Sequence, residues 1–141
     1  MLSDDLKMKG HLTIALNGET VFDVPNIVVT TGKNFVASRI KDTTSAAMSH
    51  MGIGTNSTAA VAGDTALGAE AARVALTSTT VTNNVVAYVA SFPAGTGTGA
   101  ITEAGLFNAN TAGTMFCRTT FAVVNKGASD SMTITWSVTV S

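Results

Sequence analysis

The sequence predicts an all-β fold, a jelly-roll-like β-sandwich with one short helix, and three observations carry that expectation. Apolar and polar residues alternate with period two, most strictly in SMTITWSVTVS. There Met132, Ile134, Trp136, Val138 and Val140 interleave with Thr133, Thr135, Ser137 and Thr139. Turn chemistry recurs at short intervals, in Asn17-Gly18, the Gly95–Ala100 run and Ala109–Gly113. Only one stretch, TTGKNFVASRIKD, spaces its apolar residues as a helix does. About eight short strands and a single helix are the pattern of a sandwich.

Taken along the chain, His11–Leu16 places Leu12, Ile14 and Leu16 on one face of a half-buried strand. Asn17-Gly18 is a hairpin dipeptide, and TVFDVPNIVV resumes the β character with Pro25 marking an edge or a bend. In the helical stretch Thr31 can cap, and Phe35 and Ile40 are expected to lay the helix on the sheet. Ala46–Thr55 reads as a strand entering a glycine-rich loop, and Thr65–Leu76 as one helical turn followed by a strand. Val81–Phe92 is apolar on both faces and predicts one long central strand. Ile101–Asn108 and Thr114–Val123 flank the turn ANTAG as a further hairpin. The expected organisation is an extended arm over residues 1–10 and a single sandwich domain over residues 11–141, since 141 residues supply one core rather than two.

Composition narrows the function classes. Charged residues make up 12% of the chain, against about 25% in an ordinary globular protein, and Thr, Ser, Ala, Asn and Gly take their place. A near-neutral polar surface suits extensive contact with other proteins. Eight Lys and Arg against nine Asp and Glu leave a net charge of −1, with no cationic stripe to neutralise phosphates, so nucleic acid is not an expected partner. No apolar run approaches the ~20 residues of a membrane span, and MLSDDLKMKG lacks the apolar centre of an export signal. A soluble protein made in a cytoplasm is expected, so the sequon at Asn56-Ser57-Thr58 is not expected to be used.

Candidate chemistry is sparse. Gly95-Thr-Gly-Thr-Gly-Ala100 spells a dinucleotide pattern, but a strand follows where a helix N-terminus would be needed. His11 and His50 each lack a second ligand at metal spacing. The Ala100–Phe121 segment gathers Glu103, the lone Cys117 and Arg118. If ANTAG is a simple turn, Phe107 faces Met115 and Glu103 faces Thr119. Glu103 then shares an apolar face with Cys117, Arg118 points away, and Arg73 is the expected mate for Glu103; a one-residue slip would bring Arg118 in instead. Cys117 reads as a small buried hydrophobe, and a single carboxylate lacks the second acid of a glycosidase. No catalytic, cofactor-binding or metal residue is assigned, and the protein is expected not to be an enzyme.

TTGKNFVASRIKDTT, SHMGIGT, TALGAEAARVALTS, AITEAGLFNA with GTMFCRTTFAVVNKG, and TITWSVTVS together resemble virion structural proteins of tailed bacteriophages, most closely head cement (decoration) proteins. The resemblance implies a jelly roll without cofactors that sits on the capsid exterior, associates with itself as a homodimer, and binds the major capsid protein. A tail-fibre or collar component that recognises a host receptor is the alternative it leaves open.

Overall fold

The structure is a computed structural model and describes residues 6–41 and 45–141. It is all-β with one short helix. In chain order the elements are β1 (Met8–Leu16), β2 (Glu19–Val28), α1 (Thr30–Ile40), β3 (His50–Gly54), β4 (Glu70–Ala75), β5 (Ser78–Thr82), β6 (Val85–Phe92), β7 (Gly99–Phe107), β8 (Met115–Lys126) and β9 (Met132–Val140). Among the described residues every strand pairing is antiparallel.

The strands form one curled sheet in the order β4-β3-β7-β8-β2-β1-β9-β6-β5. Its two end strands, β4 and β5, are consecutive in the chain with only Leu76 and Thr77 between them, so the sheet must curl back on itself. β2 makes the other corner. Its residues from Glu19 to Asn26 pair with β1, whereas Ile27 and Val28 pair with Arg118 and Cys117 of β8. Inside the curl, Leu12, Ile14, Phe92, Ile134 and Trp136 from one half meet Met51, Ile53, Ile101, Leu106 and Cys117 from the other. β9 follows its alternation: Met132, Ile134, Trp136 and Val138 are buried and the residues between them are not.

Several local expectations are corrected. Val81–Phe92 is not one strand. Asn83 turns at φ 53°, and β5 folds back on β6 with Thr82 opposite Val85. Asparagine tolerates this left-handed conformation, which makes Asn83-Asn84 a hairpin turn. The long strand buried on both faces is instead β7, and the short β3 beside it is buried likewise. No helical turn precedes β4, and β3 begins only at His50. Thr31 does not cap α1; its hydroxyl donates to the Met115 carbonyl at 2.8 Å and ties the helix to β8. Phe35 packs towards Phe116 with ring centroids 6.0 Å apart, but Ile40 is 79% exposed and does not anchor the helix. Sheet structure also reaches into the segment expected as an arm. β1 starts at Met8, and Lys7 exchanges backbone hydrogen bonds with Ser141 at 2.8 Å. Residues 1–5 lie outside the described residues.

Candidate functional site

The hairpin that carries Glu103, Cys117 and Arg118 departs from simple pairing by one residue. Phe107 opposes Met115 next to the turn, but Leu106 opposes Cys117 and Gly105 opposes Arg118, so Phe116 is an extra residue in β8. A bulge of this kind reverses which face each later side chain occupies. Cys117 therefore enters the core beside Leu106, and Arg118 moves to the other face with Glu103. The expectation that Arg73 pairs with Glu103 is corrected. Arg73 instead holds Glu70 at 2.7 Å, donates to the carbonyls of Ala109 and Ala112, and lies 3.6 Å over the Phe107 ring.

Glu103 has no exposed surface. Its Oε1 accepts from Gly68 N–H at 2.9 Å and from Arg118 Nε at 3.1 Å, and its Oε2 from Asn56 N–H at 3.0 Å and Ala69 N–H at 2.8 Å. Arg118 in turn donates through Nη1 to Asp64 at 2.9 Å and through Nη2 to the Thr58 carbonyl at 3.1 Å. The carboxylate and guanidinium thus pin both ends and the middle of the 55–69 loop against the outer face of β7. Gly54 permits the approach, because a Cβ there would collide with Ala69 and Glu103. Beside the ion pair, Leu67 closes a small second core with Val29, Phe107 and Met115. Every acceptor direction of Glu103 is occupied, so the chemistry available to this cluster is to hold a loop in place.

The remaining sequence candidates are dispersed. Cys117 is fully buried, and burial pushes its thiol up to about 12. His50 shares a 2.8 Å hydrogen bond with the Ser49 hydroxyl, and His11 meets Asp23 across the β1–β2 ladder in an exposed pair. Among the described residues no group of three His, Cys, Asp or Glu is placed to hold a metal ion. Gly95, Gly97 and Gly99 have positive φ in a loop that runs directly into β7. No helix among the described residues is long and apolar enough to cross a membrane.

What the surface does offer is an apolar seam. β2 and β8 pair only at Ile27 and Val28, and then diverge. Pro25, Asn26, Ile27, Ala60, Thr119 and Thr120 line a groove of about 230 Å³ there. Val21, Ile27 and Val123, on the two diverging strands, are 42%, 39% and 50% exposed. Sequence reasoning missed this seam, along with the buried Lys126, which donates to the Pro93 carbonyl at 2.9 Å. Pro25 was its one legible signal. Comparison with known protein families, curated proteins and solved structures finds no match to this chain.

Proposed function

We propose that the chain is a phage capsid cement, or decoration, protein that binds the outer surface of the head and reinforces contacts between major capsid protein subunits. Its location would be the capsid exterior, and self-association as a homodimer would let one unit bridge neighbouring subunits. The observation that carries this reading is the seam. It places Val21, Ile27 and Val123 in solvent on diverging strands, in a chain with few charges and a Thr-, Ser- and Asn-rich surface. Such a surface suits attachment by apolar contact and neutral hydrogen bonds. The sequence resemblance supplies the kind of partner. The buried Glu103–Arg118 pair supplies rigidity, since the loop over β7 is fixed before any partner arrives.

Binding of this type depends weakly on salt. Charge-driven attachment weakens as the Debye length falls from ~10 Å at 0.1 M to ~3 Å at 1 M. Labelled protein added to undecorated heads and to isolated tails across that range is the test. Retention on heads at 1 M salt is the expected result. Preferential labelling of tails would replace the cement role with a fibre or collar role, and release from heads at high salt would refute the mechanism.

A further inference from the structure

The curled sheet ends in three kinds of edge, and one is unprotected. Unpaired strand edges template further pairing, so proteins blunt them with charge, proline or bulges. β4 carries the Glu70–Arg73 ion pair and a register irregularity at Ile53/Gly54. At the seam, the outer edge of β2 carries Glu19, Asp23 and Pro25, and that of β8 beyond Arg118 carries the register irregularity opposite Ile101/Glu103 and ends at Lys126. β5, Ser-Thr-Thr-Val-Thr, carries none of these. It is the terminal strand of the sheet, its register with β6 is unbroken, and all five of its residues are exposed. Val81 is 69% exposed, and no charged residue stands anywhere between Arg73 and Glu103.

We propose that β5 pairs antiparallel with β5 of a second copy of this chain about a twofold axis at Thr80, making one continuous sheet across a homodimer. The tight turn at Asn83-Asn84 fixes which backbone groups are free. With Thr82 and Val85 closing the hairpin, Thr80 and Ser78 direct their backbone groups towards β6, and Thr79 and Val81 direct theirs outward. A twofold axis at Thr80 sets Thr79 against Val81 of the copy, so each outward N–H meets an outward C=O. Ser78 then faces Thr82, and Thr80 faces itself in a close, non-hydrogen-bonded pair. Every facing pair is uncharged, and three of the five set hydroxyl against hydroxyl, a combination favourable across strands. This self-complementarity is the reason to name a second copy as the occupant: a neutral edge gives a foreign strand no charge to select for, whereas its own twin fits in register. β5 lies at the end of the sheet order, four strands from β2, so pairing leaves the seam strand free. The inference rests on the self-association in the proposed function, but pairing is a property of the chain alone and is measured without capsids.

The test is sedimentation velocity of the full chain over a concentration series, with circular dichroism and Trp136 emission as fold controls. Wild type is expected to form a dimer. Thr80→Lys, which sets like charges against each other on the axis, is expected to raise the dimer Kd at least ~10-fold with the fold unchanged. Val81→Pro removes an outward donor without touching the β6 ladder and is expected to do the same. Thr80→Cys under mild oxidation is expected to give a covalent dimer, because that pair brings Cα atoms within disulfide range, while Cys117 is buried. A monomeric wild type, or a dimer that tolerates Thr80→Lys and yields no cross-link through Thr80→Cys, overturns the proposal. Dimers that bind neither heads nor tails would instead refute the capsid role and leave the pairing intact.

Discussion

Replacing Glu103 with alanine is the sharpest perturbation of this fold. The substitution strands Arg118, whose side chain is 4% exposed, and removes the acceptor for the N–H groups of Asn56, Gly68 and Ala69. Breaking a buried ion pair from one side costs about 3–5 kcal/mol, because the remaining charge is left desolvated. Each backbone donor left unpaired would add about 1–3 kcal/mol if it stayed buried. It need not stay buried: the 55–69 loop can lift and hand its N–H groups to water. That release limits the total, so about 3–5 kcal/mol is the expected loss rather than the sum of every contact. At roughly 2–4 °C per kcal/mol for a chain of this size, the midpoint should fall by about 6–20 °C.

Urea titration followed by Trp136 emission measures the global loss, and amide exchange at Asn56, Gly68 and Ala69 reports whether the loop has detached. Glu103→Gln is the companion variant. It keeps the volume, but its amide NH₂ must face donors whichever way it is turned, so most of the cost should remain. A Glu103→Ala loss below ~1 kcal/mol, or unchanged exchange in the loop, would mean that Glu103 does not anchor it.

Four smaller expectations follow from the same packing. Trp136 is fully buried and its indole N–H finds no acceptor among the described residues, so Trp136→Phe loses packing but no hydrogen bond and should cost clearly less than the ~3–5 kcal/mol of Trp136→Ala; equal losses by denaturation would refute this. Cys117 should be silent to a thiol reagent in the native state and react only on unfolding. Because its thiol is raised to about 12, its contribution is complete below the unfolded value and drains away between pH ~9 and 12; Cys117→Ala should flatten that alkaline limb in pH-dependent unfolding. Asp130 titrates the other way. The Asn17 amide at 2.9 Å and the Gly127 N–H hold its carboxyl below the usual range, so its contribution is present above pH ~4 and lost as pH falls through the folded value; Asp130→Asn should lack that acid step. The same substitution loosens the clasp on Asn17-Gly18, and mass spectrometry should then find faster deamidation there than in wild type.

What the sequence disclosed, and what it withheld, turns on how far each feature depends on neighbours distant in the chain. β9 was legible to its last residues because alternation is local and the core accepts one face of it. The Asn17-Gly18 turn was legible for the same reason. Asn83-Asn84 was not, because valines on both sides continue the apolar pattern across a turn that breaks the strand. Ile40 fitted the helical face, yet the helix is held at its other end by Thr31, Gly32 and Phe35.

The ion pair was hidden by a single residue. Phe116 is inserted into β8, and everything beyond it changes face: without the insertion Glu103 would lie beside Cys117 in the core and Arg118 would point to solvent. A buried carboxylate at that place demands a compensating cation, and the nearest in sequence is Arg118, so desolvation argues for the shifted register even before the fold is known. The glycines add to that argument. Gly54 and Gly105 line the inner side of the loop, where side chains would press on Ala69 and Leu67. Two glycines and one extra residue thus convert an isolated acid in an apolar hairpin into the anchor of a loop.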